Sequence, residues 1–339
     1  MNTFKKLGGK DYCAYWFEAM DKEGRDGFSD AVRFDPHKPE VALEVRRYHH
    51  SLFDGFGTYM MMSKDLGDSY EFLDEISSPR PPVSVWKALL SPYQAPAHSD
   101  CKTRPIPWQV PVSPRQIGPG GFRGQIALEP ELVQRARAHC AAIPCSFYTW
   151  VTWAIHQGVE QTLLAQPSHL FWTYMVSMRP WVALERIESN HISGLELVLG
   201  PDATPRVVAD EVKTRFVKND HWRAWYASRI GRLVGRWGVR QIYKRIHNLY
   251  HTAGHISHSG RVRNRTGQIW ALSGIPSPGA PLNFNTQELN GHLAIGLRVD
   301  ASFGFSAQAP NAQALLVAIK NFMIKTLDEA EQAACAKSV

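Results

Sequence analysis

Apolar and other side chains alternate between residues 41 and 45: Val41, Leu43 and Val45 stand at every second position, which predicts a half-buried strand. Beyond it, Gly55 and Gly57 open the apolar run Tyr59-Met60-Met61-Met62, which predicts the start of a helix. Regular patterning resumes near position 122. Residues 122–128 read as a strand, and Pro130 ahead of Glu131-Leu132-Val133 marks a helix start, because proline suits the first helical turn. Residues 146–164 predict a strongly apolar helix carrying Trp150, Trp153 and Ile155. Strands are expected at 170–176, 194–199, 269–273, 282–286 and 292–300. A helix is expected at 204–217, where Val208, Val212 and Phe216 recur four apart. A closing helix at 312–327 offers Leu315, Val317, Ile319 and Phe322 as candidates for its buried side. Strands and helices therefore interleave, which predicts an α/β layered class.

Proline interrupts this pattern in one place. Ten of the 22 prolines lie between Pro79 and Pro119, where missing backbone donors and restricted neighbours favour an extended crossing segment. A chain of 339 residues with 44% hydrophobic content can bury a sizeable core and is long enough for two domains. The expected organisation is an N-terminal α/β domain over 1–98, a proline-rich linker over 99–121 and a C-terminal α/β domain over 122–339. A long surface loop within one domain is the competing reading of 99–121.

Charge and cysteine usage narrow the function classes. The net charge is +7, yet from His221 to Arg265 there are ten Lys and Arg residues and no acid, so the basicity is local. No apolar run approaches the roughly 18 residues needed to cross a bilayer, and the N-terminus lacks the apolar stretch of a signal peptide. Five cysteines without a C-x-x-C pair argue against a disulfide framework or a zinc knuckle, so a cytoplasmic location is expected. The 14 histidines show no recognisable metal spacing, and no phosphate-binding or dinucleotide-binding glycine loop is present. No bound metal or cofactor is predicted.

The chemistry is concentrated in His49-His50-Ser51-Leu52-Phe53-Asp54-Gly55, which places an imidazole at the end of a predicted strand. A chain of this composition yields roughly 0.002 chance matches to that spacing. A satisfied structural histidine pair is the rival interpretation. Position for position the stretch resembles the signature of the chloramphenicol acetyltransferase-like superfamily, which includes peptide-synthetase condensation domains, wax ester synthases and alcohol acyltransferases. Val176-Ser177-Met178-Arg179-Pro180 is similar to its strand ending in Arg-Pro, and Ser273-Gly274-Ile275-Pro276 to its Ser-x-x-Pro segment. The resemblance implies layered mixed sheets with flanking helices in two domains and an active-site tunnel between them. It implies His50 as catalytic base, His49 as its structural neighbour and Asp54 as an orienting, mainly architectural carboxylate paired with an arginine. Arg179, Arg47 and Arg33 are all candidates for that partner. Ser273, and the Gly55 backbone N–H, are the candidate donors to an oxyanion; a plain turn-capping role is the alternative for Ser273.

Two departures qualify the resemblance. Only 48 residues precede the motif, so the implied N-terminal half is shortened. The Asn-Asp pair typical of wax ester synthases is missing near Phe147-Tyr148-Thr149, which points away from the long-chain lipid branch. The implied activity is acyl transfer from an acyl-CoA co-substrate to a hydroxyl or amine of a small metabolite. Condensation of groups borne on an acyl or peptidyl carrier protein, and an inactive ligand-binding or partner-binding member, are the alternatives.

The basic segment at 222–250 is the remaining feature. Arg229, Arg232, Arg236, Arg240 and Lys244 recur three and four apart, as a stripe on one helix would, with Trp225, Leu233 and Trp237 among them. Besides a solvated face, such a stripe suits CoA phosphates (through Arg232 and Arg236), an acidic carrier protein or peripheral contact with an anionic membrane. Nucleic acid is not an expected partner, since no binding motif accompanies the charge.

Overall fold

The computed structural model describes residues 12–74, 82–110, 112, 123–182, 186–249, 251–277, 279–303 and 311–337. Helix α1 (Tyr12–Lys22) leads into a hairpin of β1 (Phe28–Asp35) and β2 (Lys38–His49), paired antiparallel with Val32 opposite Val45 and Ser29 opposite Tyr48. The other edge of β1 is taken by β8 (Ile269–Ser273), which brings Ser273 opposite Asp30. This gives a three-stranded sheet ordered β2-β1-β8. Helix α2 (Gly55–Leu66) follows the histidine motif, and α3 (Val85–Leu90) begins after the Ser84 cap.

The larger sheet is mixed. Its order is β4 (Arg123–Leu128), β10 (His292–Val299), β9 (Leu282–Leu289), β7 (Gly254–Asn264), β5 (Leu170–Ser177) and β6 (Ile192–Leu199), with β3 (Tyr70–Phe72) also on β7. The β5–β7 and β7–β9 pairs are parallel and the others antiparallel. Period-two alternation assigns its two faces. On β10, Leu293, Ile295 and Leu297 join the main core with Trp150, Ile155, Leu315 and Ile319 of the helices, whereas Ala294 joins the smaller cluster around Tyr59, Trp270 and Leu272. One face is therefore covered by α4 (Pro130–Ala142), α5 (Phe147–Leu163), α6 (Pro205–Val217) and α9 (Ala312–Lys337). The other is crossed by the small sheet. A Cβ on Gly296 would lie 2.0 Å from the Leu272 carbonyl oxygen, so only glycine allows β8 this close to β10. Gly158 does the same for α5 and α9, where a Cβ would come 2.3 Å from Ile319.

Local signals account for the helix starts. Ser146 Oγ accepts from the Thr149 N–H at 3.2 Å and Thr204 Oγ1 from the Val207 N–H at 3.3 Å, while Pro130 and Pro205 occupy first turns.

Four expectations are revised. The strand over 41–45 exists, but Val41, Leu43 and Val45 are 49%, 53% and 41% exposed. They face solvent because β2 is an edge strand whose other face is tied down by Glu44, which bonds both Arg33 and Arg46. The stretch 99–110 is packed rather than free: Ser99–Thr103 form a 3-10 turn, Trp108 bridges to Leu164, and the Gln109 N–H donates to the Leu163 carbonyl at 2.8 Å. Residues 113–121 lie outside the described residues. Both sheets draw strands from each side of that stretch, so the expected boundary is crossed by β8 joining β1 and by β3 joining β7. Finally, the basic stripe is not one helix. It divides into α7 (Asp220–Gly231), a 3-10 turn at Arg232–Val234 and α8 (Gly235–Leu249), because Gly235 takes a left-handed φ of 66°. Among the described residues no helix is long and apolar enough to cross a membrane.

Several imidazoles in this fold are desolvated by burial. Desolvation pushes His156, His221 and His255 down to about 4 and His258 to about 3, and lowers His50 and His191 as well. An unfolded histidine titrates near 6.5, so below that pH the unfolded chain binds protons the folded chain refuses. Burial raises the Asp21, Glu160 and Asp220 carboxyls, which act in the opposite sense but are fewer. The melting temperature is expected to be flat between about pH 7 and 8 and to fall progressively from about 6.5 towards 4. A melting temperature that rises on acidification from pH 7 to 5, in a fluorimetric thermal scan, would contradict this.

Candidate active site

His50 is fixed at the point where β2 gives way to a tight turn. Its N–H donates to the Gly27 carbonyl at 3.0 Å, and its own carbonyl accepts from Asn190 Nδ2 at 2.9 Å. The Leu52 and Phe53 N–H groups both return to the His49 carbonyl, closing the turn. Nδ1 of His50 meets Ser29 Oγ at 3.0 Å. Burial lowers the His50 pKa, opposed by the Asp54 charge and a bond to the Phe53 backbone and assisted by His49. The ring is thus neutral near pH 7 and able to accept a proton. His49 turns elsewhere: its Nδ1 meets Ser51 Oγ at 2.6 Å, and its ring packs edge-on to Phe28 and Phe17.

Asp54 is a structural hub. Of the three candidate partners, Arg179 is the one that binds it, with Nη1 to Oδ2 and Nη2 to Oδ1 both at 2.8 Å. Arg47 pairs with Asp26 and Asp30, and Arg33 with Glu44. The same carboxylate accepts from the Gly57 N–H, capping α2, and from the His191 N–H, each at 2.9 Å. Arg179 spends its remaining donors on the Ile187 and Ser189 carbonyls at 3.0 and 2.8 Å and on Ser177 Oγ at 3.3 Å, while its guanidinium covers the Phe56 ring. Residues 186–191 are so drawn against the motif that a Cβ on Gly57 would lie 1.8 Å from the Glu188 carbonyl oxygen.

A cavity of about 30 Å³ opens beside the imidazole, at the junction of the two sheets. Ser29, His50, Gly55, Thr58 and Ser273 line it from the small-sheet side. Met175, Ile192, Ser257, Asn283 and Asn285 line it from the larger sheet. None of these side chains is an acid, a lysine or an arginine. The cavity is small, with room for one or two waters, because Met175, Ile192 and Leu272 pack into the junction. Ser273 is buried, and its hydroxyl has no partner among the described residues. Gly55 is the first residue of α2, so its N–H has no acceptor within the helix. A Cβ there would come 2.5 Å from Ser259 Oγ.

His50, Gly55 and Ser273 are thus brought together from 223 residues of chain, and Asp54 stands behind them. Arg236 is not: it does not line the cavity and pairs with Glu18 of α1 at 3.1 Å. The Arg232 side chain lies outside the described residues. Ser29, Thr58, Ser257, Asn283 and Asn285 escaped the sequence reading. A signal existed in the period-two polar pattern His255-x-Ser257-x-Ser259 on β7 and Asn283-x-Asn285-x-Gln287 on β9, which marks a polar face turned inward. His255 stands opposite Asn283 in the parallel register.

No protein-family model matches the sequence, and no curated protein is similar to it. Solved structures are. The epimerization domain from the third module of tyrocidine synthetase B is 12% identical, with 84% of this chain covering 69% of that one at a TM-score of 0.41. A wax ester synthase/diacylglycerol acyltransferase from Marinobacter aquaeolei VT8 is 13% identical, with 84% covering 67% at a TM-score of 0.48. The SgcC5 protein from Streptomyces globisporus is 14% identical, with 84% covering 68% at a TM-score of 0.49. The chain spans about two-thirds of the length of each of these structures. The chain carries the His-His-x-x-x-Asp-Gly turn through which its sequence resembles the chloramphenicol acetyltransferase-like superfamily.

Proposed function

We propose that the chain is an acyltransferase that moves an acyl group from a CoA thioester to a hydroxyl or amine of a small metabolite, with His50 as general base. The observation that supports this reading most is the meeting of a neutral imidazole and an unpartnered buried hydroxyl, Ser273, in one uncharged cavity. A base and an oxyanion donor within one small volume are the two requirements of direct acyl transfer. In this mechanism Nε2 of His50 takes the proton of the acceptor as its oxygen or nitrogen attacks the thioester carbonyl carbon. The carbonyl π electrons move onto oxygen, and Ser273 Oγ–H and the Gly55 N–H hold the resulting oxyanion. The tetrahedral intermediate then collapses, the carbon–sulfur bond breaks, and the thiolate leaves with the proton returned by the imidazolium. No covalent acyl-enzyme forms. Asp54 and Arg179 take no part in these steps beyond holding the turn.

The uncharged lining and small size of the cavity favour a short acyl group and a neutral acceptor.

Thiol release across a panel of acyl-CoA thioesters and alcohols or amines tests the reading. His50→Ala is expected to lower kcat at least about 100-fold, the low end of what a positioned base supplies. Equal rates in the two proteins would contradict it, and turnover only with a carrier-bound thioester would transfer the reading to a condensation-type enzyme. The lowered pKa of His50 places the acid limb of kcat/KM below about pH 6.5 and leaves the profile flat from there to about 8. A limb centred above pH 7 would exclude His50 as the titrating base.

A further inference from the structure

Thr58 stands one turn into α2 and is only 1% exposed, and it lines the cavity that holds His50. Its hydroxyl has no hydrogen-bond partner among the described residues. That is unusual for a threonine inside a helix, where the side chain ordinarily bonds a carbonyl one turn back. Other helical threonines of this chain do so: Thr152 donates to the Tyr148 carbonyl and Thr326 to the Phe322 carbonyl, both at 2.9 Å, and Thr149 to the Ser146 carbonyl at 2.8 Å. Thr58 instead keeps its hydroxyl unspent while its backbone N–H bonds the Asp54 carbonyl normally at 2.8 Å. Ser273, across the same cavity at the end of β8, is 3% exposed and equally unpartnered. The amides that share the lining are already committed, Asn283 to the Gly274 N–H and the Ile275 carbonyl, Asn285 to Ser259. Two buried hydroxyls thus remain unpartnered beside the imidazole, on two rigid elements, in addition to the Gly55 N–H.

We infer that Thr58 and Ser273 form a two-hydroxyl site for a single carbonyl oxygen, the thioester oxygen that becomes the oxyanion. The inference rests on the acyl-transfer reading and adds Thr58 to it as a catalytic residue. When the acceptor adds to the carbonyl carbon and its proton passes to Nε2 of His50, the charge that develops on oxygen lies between the two hydroxyl donors. As the carbon–sulfur bond breaks, that charge returns to the carbonyl and the thiolate takes the proton. A buried hydroxyl without a partner destabilises the resting fold, and it gains its bond when the reacting oxygen arrives. That difference between ground state and transition state is what accelerates a reaction.

The test uses the full chain, acetyl-CoA and the best acceptor of the thiol-release panel, with Thr58→Val, which keeps the shape and removes the hydroxyl, and Thr58→Ser, which keeps the hydroxyl. Thr58→Val is expected to lower kcat about 100-fold or more while KM for acetyl-CoA stays within about threefold. Its melting temperature is expected to equal or exceed that of the wild type, because an unsatisfied polar group has been removed. Thr58→Ser is expected to retain kcat within about tenfold. Wild-type kcat in Thr58→Val would overturn the inference, and so would equal losses in both variants accompanied by a lower melting temperature. A wild-type protein that releases no thiol from any donor overturns the acyl-transfer reading and this inference together. Normal wild-type turnover with an unaffected Thr58→Val overturns the inference alone.

Discussion

The buried pair of Arg179 and Asp54 holds the site together. Both side chains are almost wholly withdrawn from water, so neither charge is tolerable without the other. The carboxylate collects four hydrogen bonds: two from one guanidinium, one that caps α2 and one from the first turn of the returning chain at His191. Through these bonds the start of α2 and the turn before it are joined to the segment between β5 and β6, more than 120 residues later. Removing one partner of such a pair costs roughly 3–5 kcal/mol, much of it the penalty of the charge left behind. The imidazole stands four residues earlier in the same turn, bonded to Gly27, Asn190 and Ser29 rather than to the carboxylate.

The cavity follows from how the two sheets cross. Glycine at 296 lets β8 lie directly on β10, so the end of β8 delivers Ser273 close to the turn that carries His50. Alternation along β7 and β9 then decides what faces it: Ile256 and Phe284 go to the helical core, while Ser257, Asn283 and Asn285 line the junction. Serine and asparagine side chains beneath a buried imidazole, with two hydroxyls unpartnered, are costly in a core, and on the proposed reading they are what a reaction site needs.

Much of this was legible in the sequence, and the reasons for the failures are physical. The histidine motif, the strands from 123 onwards other than β7 and the capped helices α4, α5, α6 and α9 follow from local patterning and capping residues. The choice of Arg179 over Arg47 and Arg33 does not, because the pairing joins residues 125 apart and is set by topology. Strand β7 carries histidines, serines and a glycine, so its period-two pattern is polar and was not read as a strand. The basic stripe divides at Gly235, whose left-handed φ the three- and four-residue spacing of the arginines does not specify. Val41, Leu43 and Val45 show the reverse error: their alternation is real, yet an edge strand turned them to solvent. Thr58 could not be singled out at all, since only burial and the absence of its usual carbonyl bond distinguish it from a helical threonine with no further role.

The claim that one buried ion pair organises the site is tested most directly by a double-mutant cycle of urea unfolding on Arg179→Met and Asp54→Asn. Each single variant is expected to lose roughly 3–5 kcal/mol, and the double variant to lose at least about 1 kcal/mol less than the two together. Losses that add to within about 0.5 kcal/mol would show that the two side chains act independently, and the account of how His50 is held would be wrong.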